Sequence, residues 1–325
     1  MRVLALHAEQ AEVLVASRAR LRPSARRARH HLPSEASMTT PVDPRPYAGP
    51  GDLVTAAPYL LDGPTCISFS GGRTSAYMLR RILDAHGGTL PDDAHVVFAN
   101  TGKERPETLD FVQACATAWN VRVRWIEAHI TATETGLAHG WREVDHATAS
   151  RNGEPFEALI RARSFLPNPV MRFCTQELKI RPMNKFARSV GFDHWTNVVG
   201  LRADEPRRVA KASAPTKERY ELACPLARDG VTAERVRDFW ARQSFDLQLE
   251  SHEGNCDLCF LKGRAKLERI MRDRPGLAEW WIAQESAGTF RKDRPTYRRM
   301  LTVVQNSPHL PGLDDEGTLP CACTD

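Results

Sequence analysis

The stretch Cys66-Ile67-Ser68-Phe69-Ser70-Gly71-Gly72-Arg73-Thr74-Ser75 decides how the chain is read. It opens with a short apolar run, as a strand buried on both faces does. Two adjacent glycines then allow a tight turn. Beyond them Tyr77, Leu79, Ile82 and Leu83 recur at helical spacing within Ala76 to His86, and Gly87-Gly88 stops the helix. The pattern repeats downstream. His95-Val96-Val97-Phe98-Ala99 reads as a second strand, Asn100-Thr101-Gly102 as its turn, and Glu104 to Asn120 as a helix with Pro106 near its first turn. Val121 to Ile126 is a third strand and Trp195 to Gly200 a fourth. This alternation predicts an α/β fold, a doubly wound, mostly parallel sheet with helices on both faces.

Working outward, residues 131–172 scatter Gly, Asn and Pro and read as an insertion. Glu177 to Val190 reads as a helix, 202–219 as a long polar loop, and Thr232 to Gln243 as a helix capped by Thr232. A Cys-containing turn and two helical stretches follow over 254–286. The expected organisation is an extended leader over 1–64, a nucleotide-type α/β domain over 65–220, and a mainly helical region over 221–325 with a flexible tail.

The 325 residues carry a formal charge of +5. Residues 1–37 hold seven arginines against three glutamates, a net +4, which leaves +1 for the rest. A body built to bind nucleic acid along its surface is therefore disfavoured. The leader reads as upstream translation or a disordered tail, with Met38 as an alternative start, and its Arg-rich, acid-poor composition also fits a transit peptide. No run reaches the roughly 18–20 consecutive apolar residues a membrane span needs. Eight cysteines are too sparse for a disulfide scaffold, and with no secretory core the chain is expected to be cytoplasmic. Cys66 and Cys115 fall on buried faces and read as inert core.

A Gly-Gly turn between a buried strand and a helix brings backbone N–H groups close to a ligand, and the helix N-terminus favours an anion. Ser70, Thr74 and Ser75 add hydroxyl donors, Gly71 and Gly72 the close approach, and Arg73 a cation. The alternative is a turn with no ligand. The spacing is neither Gly-x-x-x-x-Gly-Lys-Ser/Thr nor Gly-x-Gly-x-x-Gly.

Ser-Gly-Gly-x-x-Ser after the first strand resembles the PP-loop of the ATP pyrophosphatases, within the adenine nucleotide alpha hydrolase superfamily. More residues resemble its phosphoadenosine phosphosulfate reductase-like branch. Asn100-Thr101-Gly102 with Pro106-Glu107-Thr108 is similar to that branch's Asp-Thr-Gly…Pro-Glu-Thr. Cys174…Leu178-Lys179-Ile180-x-Pro182 resembles its Cys…Lys…Pro segment, and Gly200-Leu201-Arg202…Arg207-Arg208 its Gly-x-Arg…Arg loop. The resemblance covers residues 65–262. It implies an adenine nucleotide, ATP or an adenylyl sulfate, at the carboxyl ends of the strands. The phosphates would lie on Ser70 to Ser75 and the adenosine near Asn100-Thr101-Gly102, with Lys179, Arg202 and Arg208 answering phosphate or sulfate charge.

Cys256-Asp257-Leu258-Cys259 has the spacing by which two thiolates bind one metal centre from one turn. With Cys174, in the family's cysteine position, and Cys224, four ligands can be counted. The resemblance implies a 4Fe-4S cluster; zinc on the same thiolates, or three thiolates with one open iron, are the alternatives. Cys321-Ala322-Cys323 stands near the C-terminus. Sulfonucleotide reductases use a tail cysteine as nucleophile within Glu-Cys-Gly-Leu/Ile-His, a motif absent here, so Cys323 is a candidate for related thiol chemistry only. Both glycines of the turn are kept, as in ATP-splitting members. The expectation is therefore an enzyme that adenylylates an acceptor from ATP with Mg²⁺ and transfers sulfur. A reductase drawing on a thiol partner such as thioredoxin is the alternative, and a non-catalytic nucleotide-binding module a second. The acceptor is open between tRNA or other nucleic acid and a small metabolite.

Overall fold

The computed structural model describes residues 56–307, apart from 135 and 251. The leader, its proposed start at Met38, and the tail with Cys321 and Cys323 lie outside the described residues.

Six strands form one sheet in the order β4-β3-β2-β1-β5-β6. They are β1 (Thr65–Ser68), β2 (Ala94–Asn100), β3 (Val123–Thr133), β4 (Gly136–Val144), β5 (Trp195–Val198) and β6 (Tyr220–Ala223). All neighbours run parallel except β4, which pairs antiparallel with β3. The expected doubly wound sheet is present, and its central strands are apolar because helices cover both faces.

On one face α1 (Arg73–Ala85), α2 (Pro106–Ala118) and α8 (Ala233–Trp240) pack over Ile67, Val96, Phe98 and Val198. The helix α1 buries Ala76, Tyr77, Met78, Leu79, Ile82 and Leu83 and ends before Gly87 and Gly88, both at positive φ. Pro106 opens α2 at its first position, where no N–H is needed. On the opposite face α5 (Arg181–Ser189) covers Cys66, Val97, Ala99, Ile126 and Trp195 through Met183, Phe186 and Ala187. A third cluster joins Ala128 and Ile130 of β3 to α3 (Glu154–Arg163) and to the helices α9 (Arg264–Asp273), α10 (Ala278–Gln284) and α11 (Tyr297–Asn306).

Three expectations are corrected. Residues 131–172 are not mainly irregular: they hold the end of β3, all of β4, and α3. β4 is a half-exposed edge strand carrying Gly136 and Gly140, so it shows no clean alternation. The helix expected over 177–190 starts earlier, as α4 (Phe173–Thr175), and runs through a π-helical segment, Gln176–Ile180, into α5. The loop 202–219 contains α6 (Pro206–Ala212), which buries no residue and so leaves no apolar stripe to read. The short α7 (Pro225–Arg228) follows β6. No helix among the described residues is long and apolar enough to cross a membrane.

Candidate nucleotide site

From β1 the chain winds outward through β2 and β3, then returns to place β5 on the other side of β1. The carboxyl ends of β1 and β5 therefore flank the topological switch point, where open α/β sheets hold ligands. The turn 70–75 follows β1, and Gly200 to Arg202 follow β5.

The turn is tightly built. Phe69 N–H donates to Val97 O at 2.9 Å. Ser75 Oγ accepts from Ser70 N–H at 3.2 Å, lies 3.0 Å from Ser70 Oγ, and donates to Gly72 O at 3.0 Å. Gly71 has φ +80°, and a Cβ there would come within 2.6 Å of Thr108 Cγ2, so the turn closes only with glycine. Gly72 stands at φ −95° and ψ 162° as N-cap of α1 and offers no side-chain cap, leaving the first N–H groups of the helix for a ligand. Gly200 lets the β5 turn approach α1; a Cβ would sit 3.2 Å from Ser75 Cα.

A cavity of about 860 Å³ opens beside the turn. Ser70 and Ser75 line it, with Ser68 and Asn197 on the sheet and Arg172, Lys179, Arg207, Arg208 and Lys211 among its cations. Lys179 sits in the π-helical segment, where an extra residue per turn re-aims side chains, and it pairs with Glu104 at 3.3 Å. Arg208 lines the cavity and pairs with Glu205. Arg202 is 8% exposed; it donates to Thr74 Oγ1 at 3.1 Å and to Asp204 at 2.9 Å, tying the β5 turn to the start of α1.

Two expected contributions come out differently. Arg73 was expected as a phosphate cation, but its guanidinium forks onto Asp246 at 2.8 and 2.7 Å and also donates to Leu247 O and Leu249 O. Its charge is spent on holding that segment, and only its backbone N–H remains for an anion. Asn100 is fully buried: its Nδ2 donates to Glu127 and to Ser150 O, and its Oδ1 accepts from Gly102 N–H. Thr101 donates through both N–H and Oγ1 to Glu104 at 2.8 Å. The Asn100-Thr101-Gly102 turn thus shapes the end of β2, and it is Ala99 beside it that lines the cavity.

Sequence reasoning missed Arg172, Ser68 and Asn197, placed Gly200 and Arg207 in the Gly-x-Arg…Arg loop, and took Lys211 as a loop charge. Ser68 and Asn197 had a subtle signal, polar residues inside otherwise buried strands.

The cysteines do not assemble as counted. Among the described residues no three His, Cys, Asp or Glu side chains form a group able to hold a metal ion. Cys224 follows β6, whereas Cys256 bridges to Glu104 beyond β2. Those strands stand three positions apart in the sheet, about 14 Å at ~4.8 Å per strand. Cys224 is also a buried thiol, pushed up by burial and only partly drawn back by Arg228 and Arg208. Cys174, Cys224, Cys256 and Cys259 are therefore not gathered into one metal site among the described residues of this structure. The turn around Cys256 and Cys259 is instead stapled by charge. Asp257 pairs with Lys103 at 2.8 Å and accepts from Trp281 Nε1 at 2.8 Å and from Leu258 N–H at 2.6 Å. Lys262 donates to the carbonyls of Cys256 and Asp257. Asn255 Nδ2 donates to Ser70 O at 2.9 Å, docking this turn onto the first.

Fold and site together define an open α/β protein with a phosphate-type turn at its switch point and a cation-lined cavity beside it. The chain belongs to the phosphoadenosine phosphosulfate reductase domain family, whose model matches residues 64–239. It is 33% identical over 215 residues to an uncharacterized nin region protein, ORF290, of Escherichia phage lambda, spanning 65% of this chain and 70% of that one. It also aligns with the U34-tRNA thiolase NcsA of Methanococcus maripaludis, solved with its 4Fe-4S cluster. That alignment has a TM-score of 0.39 and 11% identity, over 78% of this chain and 79% of the thiolase. At that score residues cannot be matched between the two.

Proposed function

We propose that the chain is an enzyme that binds MgATP in the crevice between β1 and β5 and adenylylates an acceptor. The phosphates rest on the N–H groups of the turn 70–75 and of the start of α1, and the acceptor enters the adjoining cavity. One observation carries this reading: the uncapped N-terminus of α1 opens at the switch point onto a cavity lined by Lys179 and Arg208. Attack of the acceptor oxygen on the α-phosphorus forms one P–O bond and breaks the bond to the bridging oxygen. Acceptor-AMP and pyrophosphate leave as products. Fixed N–H dipoles offset the charge that builds on the departing pyrophosphate. Lys179 and Arg202 position the reacting groups, Arg202 through Thr74.

The family match favours a second reading, reduction of an adenylyl sulfate with electrons from a thiol partner such as thioredoxin. Incubating the purified chain with MgATP and candidate acceptors, including tRNA, separates the two. Acceptor-dependent pyrophosphate release supports adenylylation. Sulfite release from an adenylyl sulfate with reduced thioredoxin, and no pyrophosphate, replaces it with the reductase. Nucleotide binding with neither product makes the chain a binding module.

A further inference from the structure

Resting on the nucleotide reading above, we propose that Asn197, oriented by Ser68, reads the base of the bound nucleotide and selects adenine. The sheet register puts Ser68 level with Val97, and Asn197 level with Cys66 and Leu222, all on the α5 side of the sheet. That face is otherwise apolar where the central strands meet the helix. A buried amide on such a surface costs free energy unless its hydrogen bonds are met. Asn197 is 9% exposed, and its Oδ1 accepts from Ser68 Oγ at 2.8 Å. Its Nδ2 has no hydrogen-bond partner among the described residues, and both side chains line the cavity that reaches Ser70 and Ser75.

The chemistry of this spot differs from that of the cavity's rim. The cations Arg207, Arg208 and Lys211 come from α6, and Arg172 and Lys179 from the segment before α5, whereas Ser68 and Asn197 on the strands offer neutral polar groups beside Val97, Met183 and Leu222. A flat, uncharged heterocycle fits between these polar groups and the apolar side chains around them. With Ser68 Oγ donating to Oδ1, Nδ2 is turned as a donor toward the cavity. Adenine meets a donor with a bare ring nitrogen at the position where guanine carries a ring N–H. Facing that ring position, the amide bonds adenine and is left unmet against guanine.

Calorimetric titration of the full chain with ATP, GTP and pyrophosphate tests this. The parent is expected to prefer ATP. Asn197→Leu, and the size-matched Asn197→Asp that trades the donor for an acceptor, are each expected to lose about tenfold or more in ATP affinity. Asn197→Leu should bring ATP and GTP close together and leave pyrophosphate binding within about twofold, whereas Asn197→Asp, an acceptor for guanine's ring N–H, should turn the preference toward GTP. Ser68→Ala releases the amide, at the cost of its contact with Met183 Sδ, and is expected to lower the ATP-to-GTP ratio in the same direction. Any of these variants keeping the parent's ATP affinity and ratio overturns the assignment, and so does a parent that binds both nucleotides equally. A parent that binds neither ATP nor pyrophosphate refutes the nucleotide site itself, and the base reading with it.

Discussion

Two turns meet at Ser70. The first, 70–75, is held through Ser70–Ser75 and through Arg73 on Asp246, Gly71 supplies the shape, and the N-terminus of α1 is left uncapped. The second, 254–262, is held from every side, by Lys103 and Trp281 on Asp257, Lys262 on two carbonyls, and Asn255 on Ser70. Both carry motif-grade sequence signals. Only the first leaves polar groups of the backbone unspent beside a cavity, which is how a binding turn differs from a scaffold turn.

The largest blow to the scaffold turn is expected from Asp257→Ala. It strands the ammonium of Lys103, whose side chain is 7% exposed, and leaves Trp281 Nε1 unmet. Urea unfolding should show a loss of about 3–5 kcal/mol, while the chain that remains folded still binds ATP. A change under about 1 kcal/mol would mean that this turn is not a staple.

A smaller effect comes with pH. Burial pushes the Cys66 thiol from 9.0 up to about 12. Between those values the unfolded chain has lost this proton and the folded chain keeps it, so stability falls as pH rises above about 9, at up to ~1.4 kcal/mol per pH unit for the group. The buried thiol of Cys115 and phenol of Tyr297 are raised in the same sense. Melting temperature should hold from pH 7 to about 8.5 and drop beyond. A melting temperature that stays level to pH 11 would contradict burial of these groups.

The smallest effect is expected from Cys256→Ala with Cys259→Ala, which removes the thiols and keeps the backbone docking. ATP affinity should stay within about twofold, with a stability loss of about 1 kcal/mol. A tenfold loss of ATP affinity would break the contrast between the turns. So would stoichiometric iron or zinc that disappears with this pair of substitutions, since it would make the second turn a site as well.

What the sequence disclosed followed the same divide. The central strands, α1 and α2 were legible because burial on both faces leaves continuous apolar runs between turn residues. The phosphate turn was legible because its shape depends on glycine. β4 and α6 were not, being half-exposed elements without an apolar period. Which cations are available could not be read from one dimension. Arg73 looked closest to the phosphates and is consumed by Asp246, whereas Arg172 and Lys211 reach the cavity from distant segments. Where Cys224 and Cys256 stand relative to one another could not be read either, because strand order, which no spacing reveals, separates β6 from β2.

Whether the turn 70–75 holds the phosphates of an adenine nucleotide is tested most directly by thermal unfolding of the parent and of Gly72→Leu, each with and without ATP. Gly72 stands at φ −95°, which any residue adopts, so the substitution adds bulk at the turn without forcing the backbone. The parent should gain about 2.7 kcal/mol at ATP concentrations near 100 times its Kd, and Gly72→Leu, folded, should gain nothing. An equal gain in both chains, or none in the parent, would contradict the account.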